Sequence, residues 1–415
     1  MKRSSNLFAN LLVSLFSFLF AWLMCWGMVL NAQTTNNQTT NNQSPNNPSQ
    51  SYLSGAENCN KYLNLIKGKS VALVCNQGSR IGNATLADSL MALGVQVKKI
   101  FFPEHGFDVK GDAGAKVKSF KETTSGIRYI SLYGKKKKPS PSDLADVEYI
   151  VFDLQDVGVR CYTYLSTLHN VMEACAENKK ILIVLDRPNP NGDLIDGPVL
   201  DLNYKSFVGM DPVPLVYGMT IGEYAQMINA EGWLKGGISC HLKVVPMVNY
   251  NRNGPFPPLL YPPSPNLNST ASIQLYPTLV LFEGTVVSVG RGTEKPFCAY
   301  GFPGYQGGNY QFTPHSRPGS QYPPYKDTLC MGINLIDSVN KRDGIHINWM
   351  ADAYEHYQAV HGSEKSFFVP FFNNVAGNSE LKQQIINHQS LFQIKQSWQA
   401  DIQKFKLIRA KYLLY

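Results

Sequence analysis

"EYIVFDLQDVGVRCYTYLSTLHNVMEACAENKKILIVLDRPNP" (148–190) sets an apolar run, a polar turn, a helical stretch and a second apolar run ended by prolines in immediate succession. Short Ile/Val/Leu runs bounded by turn residues read as strands buried on both faces. A helix between two such strands is the connection that a parallel pair requires. Working outward, "SVALVCN" (70–76), "VQVKKIFF" (95–102) and "IRYISLYG" (127–134) supply further strands. "ATLADSLMALG" (84–94) supplies a helix with Leu86, Leu90 and Leu93 on one face and Gly94 as its stop. The alternation predicts a Rossmann-like α/β domain over 52–210, its parallel sheet covered on both sides.

Beyond Asp211 the texture changes. "TIGEYAQMINAEGWL" (220–234) reads as a helix, "CHLKVVPMV" (240–248) as a strand, and "NGPFPPLLYPPSPNLNS" (253–269) is too proline-rich for regular structure. "SIQLYPTLVLFEGT" (272–285) reads as a helix. A closing helix places Trp398, Ile402, Phe405 and Ile408 on one face. These elements predict a second, smaller α/β domain over 211–415, with a cleft between the two. A hydrophobic content of 44% and an aromatic content of 12% in 415 residues fit a folded core and exclude disorder or a multi-span membrane protein.

The N-terminus stands apart. Lys2 and Arg3 precede a mostly apolar stretch from Leu7 to Leu30, followed by Ala32, the pattern of a signal peptide over 1–32 and hence of an exported protein at the periplasm or envelope. Retained, the same stretch is long enough to anchor the chain in a membrane. "QTTNNQTTNNQSPNNPSQS" (33–51) has nothing to bury and reads as a flexible spacer. Cleavage would remove two of the 38 basic residues and none of the 30 acidic ones, leaving a formal charge of +6. Lys135–Lys138 supply four of those charges, a run that reads either as a solvated loop or as a contact for acidic wall polymer. No nucleic-acid motif accompanies it, so no nucleic-acid partner is expected. Eight cysteines at irregular spacing, Cys25 among them, make neither a disulfide framework nor a zinc site, though one or two disulfides stay open.

Polar residues gather at the C-terminal ends of the predicted strands: Asn76, Glu104, Tyr133, Asp153 with Asp156, and Asp186 with Arg187. Open α/β sheets bind ligands there. The loop after the first strand has no GxGxxG and no P-loop appears, so no nucleotide cofactor is expected. No histidine spacing suits a metal and no GxSxG elbow is present. Carboxylates therefore lead the candidates, as the paired acids of glycoside hydrolysis would. Glu104 lies beside Phe101, Phe102 and Phe107, a poorly hydrated setting that suits a proton donor, with His105 adjoining it. The alternative is a carboxylate that caps a helix or pairs with a lysine. "DLQDVGVRCYTY" (153–164) offers Asp153, Gln155, Asp156, Arg160 and Tyr162 to a polyhydroxylated ligand, or else forms a capping network. Arg291, between glycines in "GRGTEKPF" (290–297), can meet a carboxylate bidentately, and Asn266 follows the stiff "YPPSP".

Taken together, "FPEHGF", "VFDLQDVGVRCYTY", "LDRPNPNG", "YPPSPN", "LFEGTVVSVGRGT" and the terminal "YLLY" resemble the exo-acting β-N-acetylmuramidases of the NamZ type, from about Ser70 to Tyr415. The resemblance implies release of terminal N-acetylmuramic acid from the non-reducing end of peptidoglycan fragments, in a cleft between a Rossmann-like and a smaller α/β domain. Carried onto this chain, it implies Glu104 as the first catalytic residue and Glu283 as its partner. Arg160, Arg291 and Asn266 become candidates for the sugar and its lactyl carboxylate, with Asp153, Gln155, Asp156, Tyr162, Asp186 and Arg187 around them. Relatives often carry a glutamate where this chain has Asp196, which is not read as catalytic. Two other readings are a wall-binding protein without turnover and a wall amide or ester hydrolase.

Overall fold

The computed structural model describes residues 52–123, 126–254, 256, 259, 261–339 and 344–415. The expected signal peptide and spacer, with Cys25, lie outside the described residues. Residues 49–415 form one compact unit.

Its first half follows the predicted alternation: β1 (Ser70–Cys75), α1 (Leu86–Ala92), β2 (Gln96–Phe102), β3 (Phe120–Lys121), β4 (Arg128–Ser131), β5 (Tyr149–Asp153), α2 (Tyr164–Glu177) and β6 (Ile181–Leu185). A small antiparallel pair follows, β7 (Asp196–Val199) with β8 (Pro214–Val216), then α3 (Ile221–Ala230) and β9 (His241–Val245). Seven strands make one sheet in the order β9-β6-β5-β1-β2-β4-β3, parallel except for the short edge strand β3. β1, at its centre, buries every residue but its first, as a strand covered on both faces must. Two apolar layers enclose the sheet. Leu86, Leu90 and Tyr62 pack on one side; Leu165, Leu168 and Met172 of α2 and Tyr224 and Ile228 of α3 pack on the other.

The boundary expected at 210 needs correction. β9 pairs with β6 residue for residue, His241 opposite Ile181 through Val245 opposite Leu185, so the large sheet extends well past that point. The strand is read correctly from sequence but assigned to the wrong layer, because its partner lies some sixty residues upstream and local pattern carries no pairing information. The second layer begins with α4 (Thr270–Leu279) and a 3₁₀ turn at Val280–Gly284, shorter as an α-helix than the run 272–285 suggested. Its sheet has the order β10 (Ala299–Phe302), β12 (Cys330–Asn334), β11 (Tyr310–Phe312), all antiparallel. Helices α5 (Ile347–His361), α6 (Phe372–Ala376), α7 (Glu380–Ile386) and α8 (Leu391–Arg409) complete it. On α8, Trp398, Ile402 and Phe405 are buried as expected, with Ile408 partly so. All seven described cysteines are free thiols, and six of them are buried.

The halves are clasped by Arg160. Its side chain is fully buried, with Nη1 donating to the carbonyls of Pro198 and Val213 (both 3.0 Å) and Nη2 to those of Val375 (3.0 Å) and Ala376 (2.9 Å). The first pair belongs to the β7/β8 segment, the second to α6. Gly377 follows in the left-handed region (φ 88°), and a Cβ there would meet Nη2 at 2.4 Å, so glycine is required at that position. Arg160 is thus a structural strut and not a sugar ligand. Substituting Arg160→Met would leave four buried carbonyls without their donor and is expected to cost about 3–5 kcal/mol. Denaturant titration reads that loss; a sugar-contacting arginine would instead raise KM at unchanged stability.

Candidate active site

At the C-terminal edge of the large sheet, where the second layer closes over it, lies a cavity of about 510 Å3. That volume falls in the range of roughly 300–1,000 Å3 typical of small-molecule sites. Glu104, His105, Tyr133, Tyr162 and Thr163 enter it from the sheet side; Tyr276, Glu283, Arg291, Phe297 and Phe371 enter from the second layer. Neither layer makes the cavity alone.

Glu104 follows β2 directly. Pro103 ends the strand, and His105 (φ 72°) and Gly106 (φ 84°) both take left-handed backbone, turning the chain sharply across the sheet edge. A non-glycine residue held there is a strained position of the kind that clusters at functional sites. The turn is locked by reciprocal bonds: Gly111 N donates to the His105 carbonyl (2.9 Å), and His105 Nδ1 lies 2.9 Å from the Gly111 carbonyl. With Nδ1 donating, neutral His105 keeps Nε2 as an acceptor. Burial lowers its pKa, against the opposing pull of Glu104.

Both oxygens of Glu104 are fixed. Oε1 accepts from Gly114 N (2.8 Å) and Oε2 from the Thr163 hydroxyl (2.7 Å), and Tyr133 lines the same cavity beside the carboxyl. Burial, with Glu104 beside it, raises the pKa of Tyr133. Glu104 has no lysine partner among the described residues. A carboxyl group only 7% exposed, held at both oxygens by protein donors in a cavity wall, is held as a reacting group would be. Thr163 and Tyr133 are the groups that sequence reading did not assign. Thr163 was visible within "RCYTY", as the residue before α2, and Tyr133 as a polar residue just past β4.

Glu283 sits in the 3₁₀ turn after α4. Arg291 grips its Oε1 with Nη2 and with Nε (3.0 Å), and the guanidinium rests over the Phe297 ring at 5.0 Å. Arg291 therefore reaches the site already paired. Tyr276 meets Phe297 (5.1 Å) and Tyr162 (6.4 Å) edge-on, forming one apolar wall. The Tyr162 hydroxyl donates to the Pro263 carbonyl (2.5 Å), which leaves its ring for the cavity.

The remaining expected ligands do not line the cavity. Asp153 and Arg187 form a buried ion pair, with Nε and Nη2 on the two carboxylate oxygens at 2.5 and 2.8 Å. Gln155 donates to the carbonyls of Asp156 and Pro188, and Asp156 accepts from Gly158 N and the Tyr217 hydroxyl. Asn266 donates to the Gly319 carbonyl (2.8 Å), bracing the loop that carries Ser264 and Leu267 into the lining. Asp196 holds Ile345 N (2.8 Å). These side chains are spent on the scaffold, which corrects the reading of Asp153, Gln155, Asp156, Arg187 and Asn266 as direct sugar ligands. Their physical reason is shared: each is buried or nearly so and gives polar atoms to protein groups, although Asp156 Oδ1 has no hydrogen-bond partner among the described residues.

Asp186 shows how much the scaffold depends on them. It accepts from Thr220 Oγ1 (2.7 Å), Gly222 N (2.7 Å) and the hydroxyl of the C-terminal Tyr415 (2.9 Å), tying the chain end to the sheet. Burial raises its pKa to about 7 despite these bonds. The folded state then binds this proton more tightly than the unfolded state, so stability is subtracted as pH rises from about 4 toward 7. Asp186→Asn removes that titration. The difference in Tm between variant and wild type should shift in the variant's favour across that window, as pH-dependent melting would show.

Carboxylates entering one sugar-sized cavity from opposite layers, with aromatic rings between them, define the class of a glycoside-hydrolase-like α/β protein. Residues 71–271 match the N-terminal part, and residues 274–415 the C-terminal part, of the family described as exo-β-N-acetylmuramidase NamZ. The chain belongs to that family. It is 36% identical over 375 residues to the peptidoglycan β-N-acetylmuramidase NamZ of Bacillus subtilis strain 168, covering 85% of this chain and 89% of that protein. Two crystal structures of DUF1343-family proteins from Bacteroides fragilis superpose with TM-scores of 0.79 (40% identity) and 0.75 (27% identity), each covering 88% of this chain and 99% of the other.

Proposed function

We infer that this chain is a glycosidase that releases terminal β-linked N-acetylmuramic acid from the non-reducing end of peptidoglycan fragments. Membership of the family and the likeness to the B. subtilis enzyme support the reaction. The observation that carries the site is Glu104, fixed at the mouth of β2 by Thr163 and Gly114 and facing a cavity that also receives Tyr133 and Glu283.

In this reading Glu104 in its acid form protonates the glycosidic oxygen as the C–O bond breaks, so the departing sugar leaves as a neutral alcohol. Glu283, held by Arg291, lies on the second-layer side, suited to stabilise positive charge at the anomeric carbon or to direct an attacking water. His105 fixes the turn that carries Glu104. The substrate's lactyl carboxylate is matched by the cations at the cavity wall, Arg291 and Lys137. The aromatic wall of Tyr162, Tyr276 and Phe297 supplies stacking surface for the sugar ring. The basic n-region and apolar stretch ahead of Gln33 support an exported protein that meets its substrate at the cell envelope.

The test is hydrolysis of a chromogenic β-N-acetylmuraminide beside the corresponding N-acetylglucosaminide. Release from the muraminide alone is expected, and Glu104→Gln should lower kcat by at least about a hundredfold while the melting temperature stays close to wild type. Muropeptide binding without turnover of either substrate would replace the glycosidase with a wall-binding protein.

A further inference from the structure

A sugar strand whose terminal residue is held at Glu104 has to leave the cavity along a groove that adjoins it. Among the described residues, two grooves are seen to share walls with the cavity. One, of about 610 Å3, meets it at Ala113, Glu283 and Arg291; its charged lining is balanced, Lys110 and Arg291 against Asp112 and Glu283. The other, of about 590 Å3, meets it at Lys137, Ser206 and Phe207. Five lysines line this second groove, Lys135 to Lys138 and Lys205, and none of its lining residues is acidic.

The lysine run is not a loosely solvated loop. Lys136 is tied to Asp143 (2.6 Å), and Lys138 to Glu173 (3.1 Å) and Glu177 (2.6 Å). Lys135, Lys137 and Lys205 have no carboxylate within 4.0 Å among the described residues. The Lys137 ammonium stands 4.5 Å over the Phe207 ring. That ring contacts Tyr133 at 5.8 Å, and Tyr133 lines the cavity together with Glu104. Cationic groove, aromatic platform and reacting carboxylate are thus contiguous.

Resting on the glycosidase reading, we propose that this groove is a subsite for the rest of the glycan strand, where Lys135 and Lys205 meet the carboxylate of the next muramic acid. A peptide-free strand, with one free lactyl carboxylate on every second sugar, fits a groove lined by lysines better than one of balanced charge. The subsite would make the enzyme favour polymer over the smallest fragment.

The experiment compares kcat/KM for the disaccharide MurNAc-GlcNAc and the peptide-free tetrasaccharide made of two such units, in wild type and in Lys135→Gln/Lys205→Gln. Wild type should favour the tetrasaccharide by about fivefold to tenfold at low salt, the scale of one or two solvent-exposed charge contacts, and lose the preference near 0.5 M NaCl. The double variant should lose the preference with its disaccharide rate unchanged. Equal rates in wild type, or a preference that survives the substitutions, overturns the subsite while leaving the glycosidase intact. A preference that appears only with peptide-bearing tetrasaccharide overturns it in favour of a peptide site. Calorimetric binding of the tetrasaccharide to Glu104→Gln, with and without the lysine substitutions, reads the groove without turnover. A failed glycosidase assay is thereby distinguished from a failed subsite.

Discussion

The guanidinium of Arg160 is the constraint on which the two layers depend. A cation removed from water needs strong acceptors, and burial alone lowers the pKa of this one. No carboxylate among the described residues pairs with it. Instead, four backbone carbonyls from segments more than 160 residues apart converge on its two terminal nitrogens. Hydrogen bonds to an ionised donor are stronger than neutral ones, and they are directional, so they fix the β7/β8 pair relative to α6 and not merely hold both nearby. Cys161, the next residue, donates from its thiol to the Val375 carbonyl as well (3.3 Å), and Val375 itself lines the cavity. The strut and the site share a wall.

A second set of bonds closes the chain upon itself. Tyr415 donates to Asp186 and accepts from Met247 N, Leu414 N reaches Glu223, and Arg252 pairs with the same glutamate. These groups surround the ends of β6 and β9, beneath the second layer. Two buried carboxyls there, Asp156 and Asp186, have pKa values raised by burial to about 6 and about 7. Asp186 is held by Thr220, Gly222 and Tyr415, whereas Asp156 accepts from Gly158 N and Tyr217 through Oδ2 and its Oδ1 has no hydrogen-bond partner among the described residues. The terminal "YLLY", notable in the sequence as a motif, is therefore a latch on the scaffold.

The site inherits its precision from these supports. Glu104 is placed by a strand end and a strained turn, Thr163 by the start of α2, and Glu283 by a 3₁₀ turn that packs against α6. Each element is short, so a shift of either layer would separate the two carboxylates. Placing reacting groups at the ends of rigid elements, with their polar contacts fixed in advance, spares the reaction the cost of organising them.

Sequence periodicity by itself determined the strand–helix alternation of the first half, because buried strands leave continuous apolar runs that need no partner to be recognised. It also singled out Glu104, since a polar residue just past such a run has few places to go but the sheet edge. It placed His241–Val245 in the wrong layer and gave Arg160, Asp153, Asp186 and Arg187 to the ligand, for one reason. A charged residue at a strand end looks the same whether it faces a cavity or a set of buried carbonyls, and only the fold brings those carbonyls within 3 Å. Tertiary structure also decided that Arg291 grips Glu283, and that Tyr133, Thr163 and Phe207 connect a lysine groove to Glu104. Those contacts join residues from separate elements, and local sequence holds no record of distance between them.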